Sequence, residues 1–265
     1  MIVPISINFG VKFSSKAMIG SSIIHLDQVD STNNYAAKQL LTKSLNEGTV
    51  FVAACQHSGR GQGLSHWESA DGLNLTFSIV LFPIRIEIFR QFSISQAVSL
   101  GISDFLSTEV EGVSIKWPND IYVKDKKIAG ILIETAISGG KFTRAIVGIG
   151  LNVNQEKFVS DAPNPVSLKN LTGKNYDLME LLAGLCAKID KRYQSLIRFG
   201  QDALHREYAD LLYKKDSWAS YEAEQNVFDG KISGVERDGK LLIETREGEV
   251  KGFYFKEVGF GKGSD

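Results

Sequence analysis

A chain of 265 residues with 43% hydrophobic and 23% charged residues has the composition of a globular protein large enough to bury a sizeable core. Its formal net charge of -1 leaves no global basic field, which disfavours broad binding to nucleic acid or to a membrane surface. The two cysteines, Cys55 and Cys186, lie far apart and form no CxxC pair, so neither a zinc site nor a disulfide framework is indicated.

Residues 1–20 read as an irregular N-terminal extension, without the basic start and cleavage site of a signal peptide. No run reaches the roughly 18 apolar residues of a membrane span, so the protein is expected in the cytoplasm, with no membrane partner. SSIIHLD (21–27) reads as a short strand, and Ser31 or Thr32 caps a helix through Leu41. TVFVAAC (49–55) and NLTFSIVLF (74–82) read as buried strands, and residues 86–106 as an amphipathic helix. VSIKW (113–117) is a strand that stops at Pro118, and residues 119–137 read as strand, turn, strand. Gly139-Gly140 then turns into a further strand over 141–154. Residues 155–176 read as a surface loop and 177–213 as helical with a break at Gly200. After Trp218 short alternating runs separated by DG, DG and EG turns predict a small β-barrel or meander. Strands joined by hairpins make the fold α+β, with antiparallel pairs in its sheet. Three parts are expected: the extension 1–20, a main domain 21–215 and a small C-terminal β-domain 216–265.

Four segments carry residues suited to chemistry. In CQHSGRGQGLSHW (55–67), Gly59, Gly61 and Gly63 let backbone N–H groups approach a ligand as an anion-binding nest. Arg60 sits between two of them and offers a fork suited to phosphate or carboxylate. GRGQG is neither a P-loop nor a Rossmann fingerprint, and a plain surface loop accounts for it nearly as well. KWPNDIYVKDKKIAG (116–130) brings Lys116, Asp120 and Lys127 close in sequence, with Asp120 and Lys127 expected side by side on adjacent strands. A solvated edge hairpin is the competing reading. In VGIGLNVN (147–154), Gly148 and Gly150 suit close approach of a ligand or another backbone. Asn152 and Asn154 are expected on one face, for a nucleotide or a metal-bound water, although a bulge with turn asparagines fits equally. In DSTNNYA (30–36), Ser31, Thr32 and Asn33 cap a helix or hold a polar, uncharged ligand group. The four histidines show no metal-ligand spacing, and no metal site is assigned.

Taken in series, DSTNNYA, QHSGRGQGLSHW, KWPNDIYVKDKKIAGILIE and GIGLNVN resemble the biotin protein ligase family in order and approximate spacing, over about residues 24–155. The resemblance implies a central mixed, largely antiparallel sheet flanked by helices, of the biotin/lipoate ligase and class II synthetase-like kind, plus a small C-terminal SH3-like β-barrel. It implies a two-step reaction in which biotin and ATP, with Mg²⁺, give biotinyl-5′-AMP. A lysine of a biotin carboxyl carrier protein, such as that of acetyl-CoA carboxylase, then takes the biotinyl group. It further implies that Ser31, Thr32, Asn33, Gln56, Arg60, Gly61, Gln62, Lys127 and Gly130 bind biotin. Gly59, Arg60, Gly61, Gln62, Gly63, Trp67, Asn119 and Asn152 belong to the nucleotide side. Arg60, Lys127 and Asp120 are the catalytic candidates, with Lys116 second in rank. Many members carry arginine where this chain has Gln62, so one positive charge is missing here. The STN motif begins at residue 31, too early for a DNA-binding domain with its own core, so no DNA partner is expected. The family has monomers and dimers, and a homodimer remains open. A lipoate or octanoate ligase or transferase of the same fold, or a non-catalytic biotin sensor, are the rival readings.

Overall fold

The structure, a computed structural model, describes residues 18–63, 65–159 and 164–261. One sheet is built from β1 (Ile23–Val29), β2 (Val50–Gln56), β3 (Leu75–Leu81), β4 (Val113–Lys116), β5 (Asp120–Val123), β6 (Lys126–Ser138) and β7 (Lys141–Leu151). Its strand order is β1-β2-β3-β7-β6-β5-β4. Only β1 and β2 pair in parallel, because α1 (Thr32–Thr42) carries the chain back between them; every other pair is antiparallel. The sheet is thus mixed and largely antiparallel, as expected.

Both faces of the sheet are covered, which is why β3 is buried at every position and reads as a continuous apolar run rather than an alternating one. On one face lie α2 (Phe92–Leu106) and α4 (Leu178–Phe199), followed by α5 (Asp202–Asp210). Their apolar side chains and those of the sheet form the main core, from Ile79 and Leu81 to Leu182 and Ile189. Burial there removes apolar surface from water at about 25 cal/mol per Å². α2 is buried almost all round rather than amphipathic, and it starts at Phe92 after a 3-10 turn at Ile88–Arg90. Gly101 lets α2 lie against α4: a Cβ there would stand 2.6 Å from the Cα of Ile189. On the other face α1 covers a smaller cluster of Leu26, Phe51, Ala53, Val80 and Ile146. That face stays open beside α1, and the opening is where the cavity described below sits.

The expected loop over 155–176 contains a short helix, α3 (Leu168–Thr172). Ser167 and Asn170 form a reciprocal capping box and Gly173 ends it at φ 73°, so capping rather than length or periodicity makes this turn. The extension expected over 1–20 lies outside the described residues up to 17. Met18 and Ile19 are not loose: their N–H groups donate to Asp190 Oδ1 and Ile19 is fully buried.

The C-terminal strands β8 (Trp218–Ala223), β9 (Asn226–Val235), β10 (Leu241–Thr245), β11 (Val250–Phe253) and β12 (Gly259–Phe260) form a second, antiparallel sheet. Its order is β11-β10-β9-β8-β12, and no ladder joins β11 to β12 among the described residues, so hydrogen bonds do not close a barrel. Its core is continuous with the main one through Ile232, Leu241 and Ile243. The indole N–H of Trp117 donates to Gly239 O at 2.9 Å, fixing this sheet beside the β4–β5 turn.

Candidate active site

The floor of the cavity is a patch of sheet stripped of side chains. On β6 and β7, Gly130 pairs with Gly150 and Leu132 with Gly148, while Ser78 of β3 pairs with Gly148 from the other side. Other groups occupy the cleared space. A Cβ at Gly150 would lie 2.2 Å from Trp67 Cε2, and one at Gly148 2.5 Å from Asn33 Oδ1. The close approach expected at Gly148 and Gly150 is therefore by an indole and an amide. The cavity above this floor measures about 200 Å³.

Its deep end is polar. Ser31 occupies the N-cap position of α1, but its hydroxyl makes no capping bond; the Thr32 N–H goes instead to Gln56 Oε1 at 2.7 Å. The sequence expectation of a side-chain cap is thus corrected: the end of β2 supplies the acceptor. Ser31, Thr32 and Asn33 are each at most 3% exposed, and with Gln56 they line the cavity. Ser78 Oγ lies 2.6 Å from Asn33 Oδ1 and 2.7 Å from Thr32 Oγ1.

Among the described residues two cations, Arg60 and Lys127, line the cavity against one carboxylate, Asp120. Asp120 and Lys127 stand on the paired strands β5 and β6 and form an ion pair at 2.7 Å. Arg60 makes a two-pronged ion pair with Glu134, with Nη2 to Oε1 at 2.8 Å and Nη1 to Oε2 at 3.2 Å. Its Nη1 also donates to Asn34 Oδ1 at 2.8 Å. The Asn34 amide in turn donates to Asp30, and this bond holds the Asp30 carboxyl below its ordinary range.

The glycine-rich loop is a closed hairpin rather than an open nest. Arg60 and His66 bridge in antiparallel fashion, the Gly61 N–H donates to Ser65 O at 2.7 Å, and Trp67 N–H donates to Gly59 O. The Gly61 amide expected to face a ligand is spent inside the loop, because the glycines let the two arms approach. Gly61 and Gln62 line the cavity, but Gly59 and Gly63 do not; Gly63 sits at φ 69° close to Lys256. Trp67 lies over Gly130 and Gly150, with Lys127 Nζ 5.8 Å from its ring centroid. Its indole N–H and the Oε1 of Gln62 are buried without a hydrogen-bond partner among the described residues. Orphaned buried groups of this kind in a cavity wall suit a bound polar ligand.

Asn119 lines the cavity edge, its amide donating to Ile131 O and its carbonyl accepting the Ile131 N–H. Asn152 does not line the cavity. It follows the end of β7, where its Nδ2 donates to Val166 O, and Asn154 donates to Tyr176 O. The two asparagines tie down the following segment instead of sharing a sheet face. Lys116 is also elsewhere: its ammonium meets Tyr122 OH at 3.1 Å and stands 4.6 Å from the Phe260 ring centroid, between the two sheets. Sequence reasoning missed Glu134, Ser78 and Phe255, the last reaching the cavity from the segment between β11 and β12. Among the described residues no group of three or more His, Cys, Asp or Glu side chains forms a metal site, and no helix is long and apolar enough to cross a membrane.

A cleft on a sheet face, with a polar buried end and paired cations at its side, suits an enzyme that brings two anions together. The model of the Biotin/lipoate A/B protein ligase family matches residues 25–152, which span the seven-stranded sheet. The chain is 29% identical over 263 residues to the bifunctional ligase/repressor BirA of Bacillus subtilis (strain 168), covering 96% of this chain and 78% of that one. It is 29% identical over 251 residues to BirA of Escherichia coli (strain K12), covering 90% and 74%. The solved biotin protein ligase from Aquifex aeolicus in complex with biotin and ATP is similar at a TM-score of 0.76 and 28% identity, covering 91% of this chain and 99% of that one. Together the family model, these relatives and the solved structure support the biotin protein ligase family, and a ligase, for this chain.

Proposed function

We propose that this chain joins biotin to a lysine of a biotin carboxyl carrier domain in two steps, with ATP cleaved to AMP and pyrophosphate. The observation that carries the reading is the polar deep end of the cavity. Thr32 and Gln56 place hydroxyl and amide groups there, and Gln56 Oε1 is already taken by the Thr32 N–H. A cyclic urea offers both N–H donors and a carbonyl acceptor to such a wall. A dithiolane or an alkyl chain offers neither, and would leave buried polar groups unpaired at about 1–3 kcal/mol each.

In the first step an oxygen of the biotin carboxylate attacks the α-phosphorus of ATP and pyrophosphate leaves. Both reactants are anions, so Arg60 and Lys127 offset their repulsion and stabilise the charge that accumulates on the phosphoryl oxygens. Among the described residues Asp120 is the one carboxylate lining the cavity, and it is paired to Lys127, so Mg²⁺ would be held by the triphosphate as part of the substrate. In the second step the carrier's amine, as the free base, attacks the carbonyl carbon of the mixed anhydride and AMP leaves. Asp120, freed when Lys127 turns to the phosphate, orients that amine. The hairpin loop and Trp67 cover the floor and keep water from the anhydride.

The test is ATP–pyrophosphate exchange by the purified chain with biotin, lipoate or octanoate, each with Mg²⁺. Exchange with biotin alone is expected. Exchange with lipoate or octanoate in its place would overturn the assignment of the deep end.

A further inference from the structure

We propose that Glu134 and Ser78 are positioning residues that fix the direction of the Thr32 hydroxyl, so that Thr32 meets the substrate as an acceptor. The inference rests on the reading of biotin as substrate and deepens it. It follows from counting hydrogens along one chain of contacts, buried from Asn33 to Thr32.

A carboxylate only accepts. Glu134 Oε2 receives Asn33 Nδ2 at 2.8 Å, and the carbonyl of Leu132 receives the same nitrogen at 3.3 Å. Two acceptors on β6 therefore hold the amide nitrogen of Asn33 toward that strand. Its Oδ1 must then point toward β3, where Ser78 Oγ meets it at 2.6 Å. An amide oxygen cannot donate, so the single hydroxyl hydrogen of Ser78 is committed to Asn33. Ser78 Oγ also touches Thr32 Oγ1 at 2.7 Å. With the Ser78 hydrogen spent, only the Thr32 hydrogen is left to fill that contact. The Thr32 hydroxyl thus points its hydrogen into the protein and leaves its lone pairs for the cavity.

The surroundings hold this order in place. Asn33, Thr32 and Ser78 are 2%, 3% and 0% exposed, so water does not compete along the chain. Gly148 supplies the room, since a Cβ there would lie 2.5 Å from Asn33 Oδ1. Arg60 binds both oxygens of Glu134 and anchors the outer end. Beside Thr32, Gln56 accepts the Thr32 N–H through Oε1, which leaves its Nε2 hydrogens as donors at the cavity wall. The deep end then presents one fixed acceptor and one fixed donor. That pair matches an N–H and the C=O of a cyclic urea, and it rejects a ligand with an acceptor facing Thr32. Without the chain the Thr32 hydroxyl would rotate, and binding would first have to select its orientation.

The experiment measures biotin affinity by calorimetry, with the KM for ATP and the melting temperature alongside, for Ser78→Ala, Ser78→Cys, Thr32→Val and the Ser78→Ala/Thr32→Val pair. Ser78→Ala is expected to weaken biotin about tenfold, on the scale of one lost buried hydrogen bond. Ser78→Cys, which keeps the volume and a weaker donor, should fall between it and the wild type. KM for ATP should stay near its wild-type value in both. The double variant should bind biotin no more weakly than Thr32→Val alone, because Ser78 acts through that hydroxyl. Wild-type biotin affinity in either folded Ser78 variant, or losses that add fully in the double variant, would overturn the proposal. Failure of the wild-type chain to bind biotin would instead overturn the substrate reading, and it is seen before any variant is compared.

Discussion

Gly150→Ala puts the smallest side chain into the most crowded point of the cavity floor. The new Cβ would lie 2.2 Å from Cε2, 2.5 Å from Nε1 and 2.6 Å from Cζ2 of Trp67. Ordinary carbon contacts are about 3.5–4.0 Å, so one partner must retreat by roughly 1.3 Å or more. The backbone of Gly150 is held on both sides, by Thr76 of β3 and Gly130 of β6, so the indole moves. Overpacking of this kind costs about 1–3 kcal/mol, which is roughly a 5- to 150-fold loss if it falls on the bound state. The assay is the KM for biotin in pyrophosphate exchange, together with tryptophan fluorescence. The fluorescence change should vanish in a Trp67→Phe background, and KM should rise at least fivefold. Gly234→Ala, where an added Cβ meets nothing within 4 Å, is the control and should leave both unchanged. A Gly150→Ala protein with wild-type KM and unaltered fluorescence would refute the idea that the bare floor is needed by the site.

Three further outcomes are expected. Lys127→Ala should lower the rate of adenylate formation about 10²- to 10³-fold, the scale of one lost electrostatic stabiliser, with a nearly unchanged melting curve because the Asp120 pair is partly exposed; pyrophosphate exchange and calorimetric melting check it. Gly101→Ala should destabilise the fold, since its Cβ would meet the Ile189 backbone at 2.6 Å; separating two helices at about 1–3 kcal/mol outweighs the roughly 1 kcal/mol of helix propensity that alanine adds, and Tm should fall by a few degrees. Burial pushes His205 below its ordinary value of 6.5, so the unfolded chain takes up its proton first as pH falls. Its contribution to stability is present above pH 6.5 and is lost as pH drops below that; His205→Gln should flatten this part of the profile of Tm against pH.

Much of the sheet was legible because local pattern and tertiary environment agree. β3 is seven residues of apolar and β-branched character, and both of its faces are covered. The β6–β7 hairpin was readable from Gly139-Gly140, both of which adopt positive φ. The positions of Asp120 and Lys127 followed from the same local logic of a turn between two strands. What stayed hidden depends on distant partners. Glu134 closes a hydrogen bond 101 positions from Asn33 and an ion pair 74 positions from Arg60, and nothing in GILIE announces either. A signal did exist for Ser78: a hydroxyl inside LTFSIVL, in a strand buried at every position, must find a partner. The Gly61 amide turns inward because glycines that can expose N–H groups to a ligand can equally let a hairpin close on itself. Asn152 and Asn154 were assigned by strand alternation, which fails once β7 ends at Leu151.

The two cations of the site each rest against a carboxylate, Arg60 against Glu134 and Lys127 against Asp120. On the proposed reaction anionic substrates compete with those carboxylates, and the exposure of the pairs decides whether that competition is costly. The Arg60–Glu134 side chains are 40% and 38% exposed, and those of Lys127–Asp120 are 22% each. Pairs this open to water are worth about 0–1 kcal/mol, so giving them up costs little. On the proposed reaction the same cations are worth more once bound substrate displaces water, because the effective dielectric falls. The weak pairs therefore hold the side chains in place beforehand, and on the proposed reaction they yield to the substrate's own charges. The two pairs do not open in the same way. Lys127 can swing on a flexible stem, whereas Arg60 shares Glu134 with Asn33, and pulling it away would disturb the buried chain to Thr32. Arg60 is thus the more fixed of the two charges, and on the proposed reaction Lys127 is the one that turns to the phosphate.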